Sequence, residues 1–290
     1  MKNSNRHLPL PENGAAPPEP AASPESAPPV VPPAPALPDD LRISWTWTDV
    51  MIFILFSLGI GMVVEYALLT LAVGFGYAKA PELQRFAATN TVYVAIRQSV
   101  WFTFMLGFLY LTLRPRVVQP FWVSLGWREP RARDVPRPLF YAVCFLGGFV
   151  LALAVSYVSH FFMPQRPLPI QALFQDRQSA YLMAVLGVLV APLVEETIFR
   201  GFLYPVFARS LGAAAAVLLT GALFGMVHGA QLGGVLPLVA LLGVVGCVFT
   251  VVRARTGSVI PCYFLHLGYN SILFVGFFFS QEFRRLPLVR

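Results

Sequence analysis

The chain has 290 residues, of which 57% are hydrophobic and only 12% are charged. Soluble domains carry about 25% charged residues, so this composition excludes an ordinary water-soluble protein. The formal net charge is +7, but the arginines cluster in short connections between apolar segments and form no basic stripe. The composition therefore indicates a membrane protein and argues against a nucleic-acid partner.

The cysteines give no sign of a disulfide framework or of a zinc-binding cysteine motif. All three lie in apolar segments without a recognisable spacing, at Cys144, Cys247 and Cys262. We interpret them as small buried hydrophobic side chains.

Residues 1–41 differ in composition from everything that follows. They are dense in Pro, Ala, Glu and Ser, and they include the run PPVVPPAPALPDD. Such a segment buries too little apolar surface to fold, so we predict a disordered, Pro-rich N-terminal tail. The membrane domain is then expected over residues 42–290.

Seven apolar segments follow the tail, each long enough to cross a bilayer. They are predicted at 48–76, 91–113, 137–163, 180–208, 212–230, 235–253 and 258–280. The fold class predicted from them is all-α, a polytopic bundle of about seven transmembrane helices. An eighth span is the alternative.

The distribution of arginine predicts the orientation. The connection after the second span carries six of them, Arg114, Arg116, Arg128, Arg131, Arg133 and Arg137. The positive-inside rule places this connection and the N-terminus in the cytoplasm. The compact chain and its Pro/Ala-rich tail look bacterial, so a bacterial inner membrane is the expected location. Seven spans would put Arg284, Arg285 and Arg290 outside, which is why an eighth span stays open.

Several polar side chains lie inside the predicted spans, where an ionisable group costs about 2.5–3.5 kcal/mol to insert. They are Glu195, Glu196, Arg200, His228, His266 and Asn270. Glu196 and Arg200 are four residues apart and are predicted to form an ion pair on one helix face. Glu195 is rotated by about 100° and faces elsewhere. Lipid cannot satisfy these groups, so we predict that they converge on a cavity that admits water.

The residue types indicate hydrolysis of a carbonyl substrate. A carboxylate beside an imidazole can act as general base on water. A second imidazole and an amide, His266 and Asn270 on one helix face, can donate hydrogen bonds to an oxyanion. No Ser or Cys lies beside a base at helical spacing, so a water nucleophile is favoured over a covalent mechanism.

Three motifs, EETIFR, FGMVH and HLGYN, occur in the order E-E-x-x-x-R, F-x-x-x-H and H-x-x-x-N. The segment 180–280 that carries them resembles the CAAX prenyl protease and Abi family of intramembrane proteases, which includes lysostaphin resistance protein A-like proteins. The resemblance implies an endopeptidase acting on a membrane-anchored or lipidated substrate.

The resemblance also implies roles for the residues at the motif positions. Glu195 and His228 would activate water, and His266 and Asn270 would stabilise the oxyanion. Glu196 and Arg200 would brace the site or orient the substrate's C-terminal end. The metal content stays open: Glu195, His228 and His266 are the residues that would hold zinc, whereas the absence of H-E-x-x-H favours a metal-free site.

Two other hypotheses remain from the sequence. A proton-coupled transporter would use the same carboxylates and imidazoles as a relay, but it would usually show an internal repeat, and none is visible. A non-catalytic family member could act as an immunity or membrane partner protein. Glu65 and Arg97, outside the motifs, are interpreted as a structural or cavity-facing pair.

Overall fold

The structure is a computed structural model of the chain, and it describes residues 38–131, 135–164 and 167–288. The predicted tail lies outside these ranges except for residues 38–41. Its disorder stays a prediction. The described residues form one compact unit.

The described residues form helices joined by short connections, and no strand occurs among them. The α-helical elements are α1 (Trp47–Gly74), α2 (Leu83–Thr89), α3 (Thr91–Leu113), α4 (Phe121–Ser124), α5 (Arg137–His160), α6 (Arg177–Leu211), α7 (Ala213–Val227), α8 (Leu236–Thr256), α9 (Ile260–Phe279) and α10 (Gln281–Arg285). Short 3₁₀ helices occur at Asp39–Leu41, Ala80–Glu82, Arg114–Arg116 and Pro169–Leu173.

Six of these helices are long and apolar enough to cross a membrane, namely α1, α3, α5, α6, α8 and α9. The remaining predicted span, the fifth in chain order, is α7, which is apolar but has only 15 residues. The predicted polytopic helical bundle of about seven spans is therefore confirmed. Among the described residues, no helix besides these six reaches spanning length.

The two ends of the bundle are defined by polar contacts between connections. At one end, Asp40 contacts both Arg131 and Arg253, so the N-terminal segment, the α4–α5 connection and the end of α8 meet there. At the other end, Arg177 donates to the carbonyl oxygen of Arg284 at 3.2 Å. Arg284 thus lies at the end of the bundle opposite to the arginine-rich connections, as an odd number of spans requires.

Residues 38–46, which we call the N-terminal strap, pack onto the second half of α6. The indole of Trp45 is buried and donates to the carbonyl oxygen of Phe202 at 2.9 Å. Arg209 donates to the carbonyl oxygens of Ile43 and Trp45 at 3.0 and 2.9 Å. Residues 38–41, which the sequence placed in the tail, therefore belong to the folded unit, because the buried carboxylate of Asp40 fixes them there.

Glu65 of α1 and Arg97 of α3 form the pair that the sequence suggested. Arg97 Nη1 lies 2.7 Å from Glu65 Oε2, and about a third of each side chain is exposed. The pair joins α1 to α3 and is not in hydrogen-bond contact with the other predicted site residues.

The backbones of α5 and α9 approach each other closely at two glycines. A Cβ atom on Gly268 would overlap with the carbonyl oxygen of Phe145, and one on Gly148 with the carbonyl oxygen of Leu265. Only glycine fits at such a crossing, as at other close helix contacts in membranes. This crossing sets the position of α9 and therefore of His266.

We predict that Gly268→Ala lowers the free energy of unfolding by about 1–3 kcal/mol or more, because the added methyl group must push the helices apart. Gly276→Ala, on the same helix with nothing within 4 Å of its Cβ position, is the matched control. Thermal unfolding in detergent compares the two variants. Equal stability would show that α5 and α9 are not packed this closely.

The ion pairs of Asp40 predict a dependence of stability on pH. Burial alone would raise the pKa of Asp40, but the guanidinium groups of Arg253 and Arg131 outweigh it and hold the pKa below its ordinary value of 3.8. A carboxyl whose pKa is lowered by folding stabilises the protein above its ordinary pKa and loses this contribution as the pH falls through the lowered value. Wild type should therefore exceed Asp40→Asn in thermal stability at neutral pH.

This difference should shrink as the pH is lowered below about 4. Asp39→Asn makes the same chemical change at the neighbouring exposed carboxylate, so it should unfold like wild type throughout. If the difference in thermal stability between wild type and Asp40→Asn persisted to the lowest accessible pH, it would not arise from the ionised carboxylate of Asp40.

Candidate active site

The long helix α6 carries three of the predicted site residues and is not regular. It contains two π-helical segments, Leu186–Val190 and Thr197–Leu203, on either side of Glu195 and Glu196. Such π-bulges are frequent at functional sites, because they release backbone groups from the regular ladder. Each segment is followed within two residues by a proline, Pro192 or Pro205.

The first π segment leaves the carbonyl oxygen of Gly187 without its regular partners. The N–H group of Ala191 donates to Leu186, one residue earlier than in an α-helix, and Pro192 has no N–H group to offer. Asn270 of α9 supplies the missing donor, with Nδ2 at 2.7 Å from the Gly187 oxygen. Asn270 is therefore held in place by the irregularity of α6.

The second π segment repeats the arrangement at Arg200. The N–H group of Tyr204 donates to the carbonyl oxygen of Phe199, and the next residue is Pro205. The carbonyl oxygen of Arg200 accepts instead from Nε of Arg253, on α8, at 3.1 Å. Side chains of α8 and α9 thus complete the hydrogen bonding of α6.

A buried charged unit lies between these two points. Oε1 of Glu196 accepts from Nη1 of Arg200 at 2.9 Å, as the helical spacing predicted, and from Nδ1 of His266 at 2.9 Å. Glu196 and Arg200 are completely buried. Because an ionised carboxylate only accepts, Nδ1 of His266 carries a proton and Nε2 faces the remaining space.

The surroundings of Arg200 explain how its charge is tolerated. Besides its bond to Glu196, it donates to the carbonyl oxygen of Gly246 at 2.8 Å and to Thr250 Oγ1 at 3.3 Å. Its guanidinium carbon lies 4.7 and 5.2 Å from the ring centroids of Phe224 and Phe249, which adds cation–π attraction.

The complete burial of Arg200 distinguishes between its two implied roles, bracing the site and orienting the substrate's C-terminal end. It suits a brace that orients Glu196. A substrate carboxylate, in contrast, would have to enter a position that neither water nor ligand reaches.

Glu195 faces a different space, as its rotation from Glu196 predicted. Its Oε1 lies 3.7 Å from Nε2 of His228, and its Oε2 lies 3.8 Å from Nε2 of His266. The side chain is 17% exposed, as is that of His228. Three side chains from α6, the end of α7 and α9 therefore converge at separations too long for direct hydrogen bonds and suited to a water molecule.

The imidazole of His228 is fixed by its position at the end of α7. Its own N–H group donates to Gly225, which leaves the carbonyl oxygen of Phe224 free. That oxygen accepts from Nδ1 of His228 at 2.7 Å. Since a carbonyl oxygen cannot donate, Nδ1 carries the proton, and in the neutral ring Nε2 offers a lone pair toward Glu195.

Zinc is the metal that the sequence left open for these residues. Two imidazoles whose Nδ1–H groups are held by oxygen acceptors are a donor set that zinc uses. The part of the chain that the structure describes nevertheless contains no group of three or more His, Cys, Asp or Glu side chains arranged to hold a metal ion.

Sequence reasoning missed the residues that support the site from α8. Gly246, Thr250 and Arg253 contact Arg200 and share one helix face, spaced by four and three residues. A buried threonine and arginine at helical spacing on an apolar span were a signal that could have identified them. Asp40, in a segment interpreted as tail, carried no such signal.

The fold and the cluster define a polytopic membrane protein with a buried glutamate and histidine site. Residues 177–272 match the model of a family described as type II CAAX prenyl endopeptidase Rce1-like. This segment is about a third of the chain and runs from the start of α6 into α9, so it includes all six predicted site residues. The resemblance inferred from the motifs is confirmed for this segment.

The family is one of proteases, so the match supports a peptidase with a membrane-associated substrate. The comparison with curated proteins and the comparison with solved structures give no match.

We predict that Asn270→Leu lowers the free energy of unfolding by about 1–3 kcal/mol, because the carbonyl oxygen of Gly187 loses its donor inside the bundle. Ser271→Ala is the matched control, since Ser271 Oγ donates to the carbonyl oxygen of Leu267 on its own helix. Thermal unfolding of both variants in detergent tests the difference. If Asn270→Leu is as stable as Ser271→Ala, another donor must bind the carbonyl oxygen of Gly187.

Proposed function

We propose that the protein is an intramembrane endopeptidase that hydrolyses a peptide bond of a membrane-anchored or lipidated substrate with an activated water molecule. The observation that supports this most is the convergence of Glu195, His228 and His266 around one space. A carboxylate and two oriented imidazoles are a hydrolytic constellation, and the protease family match covers the helices that carry them.

Glu195 and His228 are assigned to the attacking water. A water molecule between Oε1 of Glu195 and Nε2 of His228 can donate both of its hydrogens, which directs a lone pair toward a carbonyl carbon. As the oxygen attacks, the water proton passes to this pair of bases. The same groups return a proton to the leaving amine nitrogen when the tetrahedral intermediate collapses.

His266 and Asn270 are assigned to the oxyanion. Asn270 uses one N–H bond for Gly187 and keeps a second. His266 already donates from Nδ1 to Glu196, so it can serve the oxyanion only with a second proton on Nε2. That proton balances the charge of the cluster, since two carboxylates face a single guanidinium. Glu196 and Arg200 then act as the brace that holds His266.

The proposal includes an orientation of the protein in the membrane, which is inferred from the distribution of arginine. The positive-inside rule places the end with Arg128, Arg131 and the N-terminal strap in the cytoplasm, and the C-terminus outside. The site would then be reached by a peptide that lies in or on the membrane. A bacterial inner membrane fits this arrangement.

The test is peptide cleavage by the full-length protein in liposomes, with a panel of farnesylated CAAX peptides and single-span membrane peptides. We predict that Glu195→Gln, which keeps shape and loses the base, lowers kcat about 10²–10⁴-fold, the usual contribution of a general base. His228→Ala should do the same. His160→Gln is the control, because His160 is at the end of α5 and distant in sequence from every motif.

Cleavage that persists in both Glu195→Gln and His228→Ala would contradict the proposal. A wild-type protein that cleaves no peptide of the panel would support the non-catalytic alternative. Proton uptake coupled to solute in the same liposomes would support the transporter.

The metal question has its own prediction. Because the proposed mechanism activates water with Glu195 and His228 alone, activity should survive strong chelators, and elemental analysis of the purified protein should find no stoichiometric zinc. Loss of activity on chelation with recovery on adding zinc would place a metal among Glu195, His228 and His266. That result would overturn the mechanism in which these side chains alone activate water.

A further inference from the structure

We propose that Arg253 and Asp40 form a positioning pair, through which the N-terminal strap holds the Arg200–Glu196–His266 unit in its working geometry. Neither residue belongs to the three motifs. The inference deepens the proposed function, because its kinetic readout is the same peptide hydrolysis.

Both members of the pair are buried. Arg253 is 1% exposed, and Asp40 is buried although it precedes the first membrane helix. Nη1 of Arg253 lies 2.8 Å from Oδ2 of Asp40. Replacing such a pair with apolar side chains is often neutral or stabilising, so its presence does not follow from stability alone.

The other side of the Arg253 guanidinium contacts α6. Its Nε donates to the carbonyl oxygen of Arg200, which the π segment and Pro205 have deprived of its regular partners. One planar group thus joins a carboxylate of the strap to the backbone of the residue that braces Glu196. Lysine has a single charged nitrogen and cannot reproduce this fork.

A continuous series of contacts leads from Arg200 to the imidazole. The side chain of Arg200 holds Glu196, and Glu196 holds Nδ1 of His266, each at 2.9 Å. A small displacement of the Arg200 backbone is therefore expected to move His266 as well, because two short hydrogen bonds connect them. Misplacement of reacting groups by about 1 Å can cost roughly a hundredfold in rate.

The strap is held by more than this pair, so loss of the pair alone need not release it. Trp45 donates to Phe202, and Arg209 donates to Ile43 and Trp45. Asp40 also accepts from Arg131 at 2.6 Å. Substitution of Arg253 is therefore expected to change the geometry at Arg200 more than the overall fold.

The test variant is Arg253→Lys, which keeps the charge opposite Asp40 and loses the donor for Arg200. Arg255→Lys, at an exposed position two residues later on the same helix, is the matched control. For the peptide that wild type cleaves fastest, we expect Arg253→Lys to lower kcat about 10- to 100-fold per folded molecule. KM should stay within about twofold, because the substrate touches neither residue.

A second measurement does not depend on catalysis. The chain has four histidines, so ring ¹⁵N signals of labelled protein can be assigned, with His266→Gln identifying the signal of His266. We expect Arg253→Lys and Asp40→Asn to shift the His266 signal and to leave that of His160 unchanged. Arg255→Lys and Asp39→Asn should leave both as in wild type.

The pair would be merely structural if Arg253→Lys lowered thermal stability while kcat per folded molecule and the His266 signal stayed at wild-type values. That result would overturn the inference. If wild type cleaves no peptide, the proposed function fails, whereas the histidine spectra still decide whether the strap positions His266.

Discussion

The site depends on one constraint: a backbone carbonyl group inside a membrane bundle must find a hydrogen-bond donor within the protein, because lipid offers none. Three carbonyl oxygens are released from their helical ladders, at Gly187, Arg200 and Phe224. Each accepts from a polar side chain at the site or next to it, namely Asn270, Arg253 and His228 respectively. Irregular backbone thereby fixes the side chains.

The adjacent glutamates Glu195 and Glu196 have different contacts and different exposure. Glu196 is completely buried, and its Oε1 accepts hydrogen bonds from both Arg200 and His266. Its carboxylate therefore holds these two side chains in place. Glu195, one residue earlier, contacts two imidazole nitrogens only at 3.7 and 3.8 Å and is partly exposed. Two identical side chains differ because a helix turns by about 100° per residue.

Much of this arrangement follows from sequence, and the part that does not has a physical reason. The seven apolar segments and the Glu196–Arg200 pair were predictable, because span length and helical periodicity are local properties. The π segments were not predictable from periodicity, although Pro192 and Pro205 mark their ends. Asp40 escaped notice, since its burial depends on Arg253, which is distant in the sequence.

The length of the short helix α7 determines which nitrogen of His228 faces Glu195. A span of about 20 residues would enclose His228 in regular helix, with the Phe224 carbonyl oxygen bonded to the backbone. Ending after 15 residues frees that oxygen for Nδ1 and leaves Nε2 toward Glu195. An apolar segment that falls short of the bilayer thickness is thus what presents a correctly oriented imidazole to the site.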